Sequence, residues 1–255
     1  DPGRVCASAA PRFHCILIGL RGTIGPFARF GQLALDAFGP EPRPWHVAAL
    51  AVRGWAQLWA GERAPLASTL QRLEALDARF GGIALLGERI DQLRAIAATA
   101  SGDFRTAIAI ARRRMAALFA EPSAAGHAVT WGRAYRHAYA RLAWNAGAHD
   151  EWRALVPALV APRASREWPF CEVAADLVRG QAALLAGDAA AAIAPLRRAV
   201  AGHERFRMPQ IYADPRPVLG LALLRRGDPA AAWAAFEPAW RAVVAEGALG
   251  LLLLQ

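Results

Sequence analysis

The stretch GQAALLAGDAAAA at residues 180–192 decides the fold, and GLALLRRGDPAAA at 220–232 answers it forty residues later. Each contains a Gly-Asp step, Gly187-Asp188 or Gly227-Asp228, with a glycine seven places before it and an alanine five places after it. Glycine tolerates the positive φ at which a helix ends, and an aspartate just beyond it can cap the helix that follows. The pattern therefore spells helix, tight turn, helix.

The same turn appears upstream as Ala60-Gly61-Glu62, Ser101-Gly102-Asp103 and Ala146-Gly147-Ala148, so the five glycines are spaced 41, 45, 40 and 40 residues apart. Self-similarity at such a period is the signature of stacked helical repeats. Seven places before the glycines stand Gly54, Ala95, Ala140, Gly180 and Gly220, all small, as close crossing of two helix axes requires. Five places after them stand Ala107, Ala192 and Ala232, while Gly61 offers Leu66 and Gly147 is expected to align through a two-residue shift onto Ala154. Leu196 and Phe236 fill a larger slot nine places on, and Ala199 and Ala239 are small again at twelve. Proline is sorted to the longer breaks between hairpins, at Pro40, Pro42 and Pro44, Pro122, Pro162 and Pro169, and Pro209, Pro215 and Pro217.

This grammar resembles the tetratricopeptide repeat, in which small residues of a first helix face small residues of the second. The resemblance implies an all-α fold, a right-handed superhelix (solenoid) of stacked antiparallel helix hairpins with a period of about 40 residues, forming a single helical-repeat domain over residues 1–255. The expected hairpins cover 45–80, 83–120, 127–161, 168–205 and 209–247. A degenerate one is expected over 12–38, turning at Gly22 with Cys15 in its small slot. The chain departs from the family in lacking the first-helix tryptophan, in a period longer than the family's roughly 34 residues, and in Pro157, Pro195 and Pro238. Those prolines fall inside second helices, which are expected to bend there.

Composition excludes several function classes. With 55% hydrophobic and 20% charged residues the chain can bury a core and is not of the disordered type. It has no lysine, so all 30 basic residues are arginines. Walker-type phosphate loops, pyridoxal Schiff bases, amine nucleophiles and Ser-x-x-Lys hydrolases are thereby ruled out. A net charge of +9 would suit nucleic acid, but the densest groups are short: Arg112 to Arg114, Arg197 with Arg198, and Arg225 with Arg226. They read as solvated helix faces and helix ends. Cys6, Cys15 and Cys171 are far apart with no C-x-x-C, which implies neither a disulfide framework nor a zinc site and fits a reducing cytoplasm. No basic-then-apolar signal segment is read in these residues, and the apolar run Leu249 to Leu254 is too short to span a bilayer, so no membrane association is expected. Opening on Asp1 and closing in that run, the sequence is expected to be part of a longer chain.

No catalytic constellation emerges, and the chain is expected not to be an enzyme and to hold no cofactor or metal. The histidines at 14, 46, 127, 137, 149 and 203 lack metal-ligand spacing. Gly19, Gly22, Gly25 and Gly31 follow no strand and precede no Lys-Ser/Thr pair, so they read as packing or loop residues. Glu88 with Asp91 and Asp150 with Glu151 read as helix-start or surface carboxylates.

Binding residues are nominated from the first helix of each hairpin, which lines the concave face of such stacks. The expected face carries Trp55, Trp59, Arg89, Gln92, His137, Arg141, Trp144, Asn145 and Gln181. His137, Arg141 and Trp144 share one helix face by i+4 and i+7 spacing. Trp55 and Trp59 read equally well as core between hairpins.

The stretch from Leu219 to Leu254, LGLALLRRGDPAAAWAAFEPAWRAVVAEGALGLLLL, resembles the C-terminal part of the helical sensor arm in large LuxR-family bacterial regulators of the maltose-activator type. That resemblance implies an arm that binds a small-molecule inducer or a regulatory protein. DNA would be contacted only through a helix-turn-helix outside these residues, and an ATPase domain would also lie elsewhere. A plain protein–protein interaction scaffold, such as an assembly or co-chaperone module, stays open beside it.

Overall fold

The computed structural model describes residues 24–44, 46–80, 84–120, 136–137, 139–161, 169–206 and 214–248. Among them the protein is all α, with no strand. The helices are α1 (Ile24–Phe38), α2 (His46–Ala60), α3 (Arg63–Phe80), α4 (Ala84–Ala100), α5 (Phe104–Ala120), α6 (described at 136–137 and 139–145), α7 (His149–Val160), α8 (Pro169–Leu185), α9 (Ala189–Arg205), α10 (Arg216–Arg225) and α11 (Pro229–Ala245). The chain divides into two compact units, residues 1–114 with 243–254, and residues 115–242 with 255.

Each turn glycine read from the sequence sits between two helices with positive φ: Gly61 at 79°, Gly102 at 83°, Gly147 at 68°, Gly187 at 81° and Gly227 at 81°. The hydrogen bonding around them is the same every time. Asp188 N–H donates to the Ala183 carbonyl at 2.9 Å and Gly187 N–H to that of Leu184 at 3.1 Å. Asp103 to Ala98, Ala148 to Ala143 and Asp228 to Leu223 repeat the longer bond. This is the Schellman closure, which satisfies carbonyls that a helix C-terminus otherwise leaves bare. The residue after the glycine then opens the next helix. Asp103, Asp188 and Asp228 accept the backbone N–H of Thr106, Ala191 and Ala231 at 3.1, 2.8 and 3.0 Å. One aspartate thus closes one helix and caps the next, which is why the link needs only three residues, as in 186–188 between Leu185 and Ala189.

In the first unit α2 is buried nearly all round, from His46 and Val47 through Leu50 to Leu58 and Trp59, because α1, α3 and α4 all pack on it. α3 buries a single stripe, Leu66, Thr69 and Leu73, at i, i+3 and i+7. Gly54 is the point of closest approach: a Cβ there would meet Leu93 of α4 at 2.5 Å and Thr69 of α3 at 3.5 Å. Thr69 turns its hydroxyl to donate to Gln57 Oε1 at 2.7 Å, which keeps this buried polar pair satisfied. His46 closes the α1–α2 link, accepting Arg43 N–H at Nδ1 (3.2 Å) and bonding through Nε2 to the Gly39 carbonyl (3.0 Å). Of the degenerate hairpin expected over 12–38 only residues 24–38, in α1, are described, and its Gly22 turn and Cys15 lie outside the described residues.

In the second unit two apolar clusters share helices. One gathers Ala140, Ala143, Trp152, Leu159 and Val178 from α6, α7 and α8. The other gathers Val173, Leu177, Leu184, Ala192, Ile193, Leu196, Ala199, Val218, Leu219, Ala222, Leu223 and Ala232 from α8 through α11. The small slots Ala192, Ala199, Gly220 and Ala239 are all buried, as is the large slot at Leu196. The α6–α7 hairpin departs from the expected register. Ala154 is exposed, and Trp152, five places after Gly147 with no shift, fills the slot instead. A tryptophan is accommodated there because Trp144 tilts against it with ring centroids 5.5 Å apart. Pro157, Pro195 and Pro238 lie within α7, α9 and α11, which continue through them.

Candidate interaction surface

The nominated residues fall into three groups. On α6, His137 is buried, while Arg141, Trp144 and Asn145 are half-buried. Trp144 packs against both apolar clusters of the second unit and stands 6.0 Å from the His149 ring, edge on. Gln181 of α8 is buried in the same unit. On α2, Trp59 is buried and Trp55 half-buried, their rings 5.7 Å apart. Arg89 and Gln92 lie on α4, but their side chains are outside the described residues.

Burial pushes the Arg141 guanidinium down to about 10. An arginine stays charged at neutral pH even so. It is a desolvated cation on the face it shares with Trp144, and a desolvated cation interacts with an anion or an aromatic face more strongly than a hydrated one does.

Beside this face α7 and α8 enclose an open groove of about 350 Å³, lined by Trp152, Arg153, Val156, Pro157, Ala182, Leu185 and Ala186. Pro157 shapes it twice. Its ring fills part of the wall, and its missing N–H deprives the Arg153 carbonyl of its helical partner. Trp152 supplies the opposite imbalance, since its buried indole Nε1 has no acceptor among the described residues.

Two features escaped the sequence reading. The first is a clamp in which a carboxylate eleven places before the turn glycine is held by an arginine eight places before it and another eleven places after it. Asp91, buried on α4, accepts from Arg94 at 3.1 Å and from Arg113 of α5 at 2.9 Å. Asp176 of α8 accepts from Arg179 at 2.9 Å and from Arg198 of α9 at 3.0 Å. The signal was present in the sequence, because both triads share one register relative to Gly102 and Gly187. The second feature is a set of exposed large apolar side chains on the α10–α11 hairpin, Leu221 and Leu224 on α10 and Trp233 and Trp240 on α11.

Among the described residues no group of three or more His, Cys, Asp or Glu side chains could hold a metal ion, and no helix is long and apolar enough to cross a membrane. No family model matches the chain, and neither does any curated protein or any solved structure.

Proposed function

We propose that the chain is a tetratricopeptide-like binding module, a superhelix of stacked hairpins, serving as the sensor region of a LuxR-type transcriptional regulator and catalysing nothing itself. The observation that carries the binding reading is nearest-neighbour packing. Among the described residues of the second unit, the α6–α7 hairpin shares one core with α8, the α8–α9 hairpin shares another with α10 and α11, and Trp144 packs against both. Stacks built this way present extended faces and respond to a ligand by small shifts between adjacent hairpins. The α6 face, with the desolvated Arg141 beside Trp144 and the groove along α7 and α8, is the place for an inducer or a regulatory protein to bridge hairpins.

The sensor reading rests on the resemblance of residues 219–254 to the LuxR-family arm. It is tested in the complete gene product, where a helix-turn-helix is expected downstream of Gln255 and an ATPase domain upstream of Asp1. An unrelated neighbouring domain would favour the scaffold reading instead. In the regulator, Arg141→Ala with Trp144→Ala should abolish the transcriptional response to inducer while leaving operator binding intact. A full response from that double variant would remove the α6 face from consideration.

A further inference from the structure

The groove between α7 and α8 departs from the repeat, and the next join between hairpins shows how. Six places after Gly187 stands Ile193, 5% exposed in one core with Val218, Leu219, Ala222 and Leu223 of α10. That isoleucine fills the join between α9 and α10. Six places after Gly147 the same slot holds Arg153, whose side chain is 57% exposed. A guanidinium stays in water unless an apolar join supplies it with acceptors, so the slot is left unfilled and a groove of about 350 Å³ remains. Val156, Ala182 and Leu185 pack on the core of α6, α7 and α8 and also line the groove. A space of this size lies within the range of small-molecule sites.

We infer that this groove binds a small aliphatic carboxylic acid as its anion, the chain lying along Val156, Ala182 and Leu185 and the carboxylate on Arg153. The inference rests on the proposed role of the groove as an inducer site and names the class of inducer. Charge selects the head group, because Arg153 is the one charged side chain among the residues lining the groove. A carboxylate matches one guanidinium charge for charge and in bidentate geometry. The present partner of Arg153 does not block it. Asp150 accepts from Arg153 Nη1 at 2.7 Å but is 95% exposed, and pairs so exposed are weak and readily exchanged. The end of α8 offers no free carbonyl at Ala182, Ala183 or Leu184 to repel an anion, since these accept the N–H groups of Ala186, Asp188 and Gly187. The walls select the body. Their one aromatic residue, Trp152, is 1% exposed and presents no ring face for stacking, so an aliphatic chain is the complement. That chain takes the place that Ile193 fills in the next join.

Isothermal titration of the chain with decanoate, kept below its micelle concentration, tests the inference. One saturable site is expected. Decylammonium, which has the wrong charge, and acetate, which has no chain, should each bind about tenfold more weakly or worse. Arg153→Gln should weaken decanoate about tenfold. Arg153→Ile, which installs the residue of the next join, should abolish saturable binding, and Arg197→Gln, outside the groove, should leave it unchanged. Arg153 is exposed, so circular dichroism of its variants should match the parent. Absence of a saturable site overturns the inference, as does equal binding of decylammonium or an Arg153→Gln variant that binds like the parent. Tighter binding of an acetylated tripeptide ending in a free leucine carboxylate would give the groove to a protein terminus and overturn it too. Failure of this inference and failure of the sensor reading are distinguishable. If decanoate does not bind while Arg141→Ala with Trp144→Ala still abolishes the response to inducer, the ligand class alone falls. If decanoate binds through Arg153 while that double variant responds in full, the ligand assignment stands and the α6 face falls.

Discussion

Gly180 of α8 lies so close beneath Leu196 of α9 that a Cβ at residue 180 would occupy the space of the leucine branch. Gly220 stands in the equivalent place beneath α11, where a Cβ would come within 3.1 Å of the Ala232 carbonyl oxygen and 3.5 Å of Phe236 Cβ. Small residues at this register are thus a condition of the packing distance between paired helices.

Gly180→Leu and Gly220→Leu should each destabilise by about 1–3 kcal/mol through overpacking. Leu196→Ala should recover part of the loss in the Gly180 variant but none in the Gly220 variant, because only neighbours couple. Urea unfolding of the parent, the three single variants and the two double variants checks this, and additive effects at 180 and 196 would contradict the contact.

The turns fail by a different mechanism. Gly102, Gly187 and Gly227 have nothing within 4 Å of an added Cβ, but φ is 81–83° at all three. Alanine there should cost about 1 kcal/mol from backbone strain alone. Asp188→Ala and Asp228→Ala should each cost about 1 kcal/mol by removing a cap, and the double variant should show the sum. Thermal unfolding would measure all of these.

The two carboxylate clamps should differ in strength because they differ in burial. Asp91 is nearly sealed from solvent, so Asp91→Ala leaves Arg94 without its buried acceptor and should cost about 1–3 kcal/mol, with little response to salt. Asp176 is better hydrated, and its partner Arg198 is largely exposed. Asp176→Ala should cost about 1 kcal/mol or less, and added salt should shrink the difference from the parent. Denaturant titrations at low and high ionic strength separate the two cases.

Stability should also depend on pH through His203, which is buried at the end of α9 with no partner for Nε2 among the described residues. Burial holds its imidazole below the ordinary value. Asp214 opposes that shift, Arg216 adds to it, and Glu204 opposes it. The unfolded chain therefore takes up the proton first as pH falls. The contribution is complete above pH 6.5, the ordinary histidine value, and is lost as pH drops through the depressed folded value. His203→Phe should flatten the melting temperature between pH 7.5 and pH 5, values chosen to bracket the ordinary histidine pKa of about 6.5. An unchanged slope in that variant would assign the pH dependence to other groups.

Where the sequence was sufficient, the physics was local. A Schellman turn and an aspartate cap are made by residues within about six positions of each other, so Gly187 with Asp188 declares both wherever it occurs. The small slots were legible too, because residues a fixed distance from one turn meet across one hairpin. Trp152 shows the limit of that logic: the alanine rule predicted a shift onto Ala154, but Trp144 made room for an indole in the unshifted slot.

Helix, turn, cap and the pairing of small residues across a hairpin were thus fixed by the amino-acid order alone, since each depends on atoms a few bonds or one turn apart. Which faces are covered was decided only in three dimensions. Leu184 and Leu224 share a register and residue type, yet one is buried under α10 and the other lies open. The difference is the presence of a neighbouring helix, and burial is a property of the assembled surface that no single segment encodes.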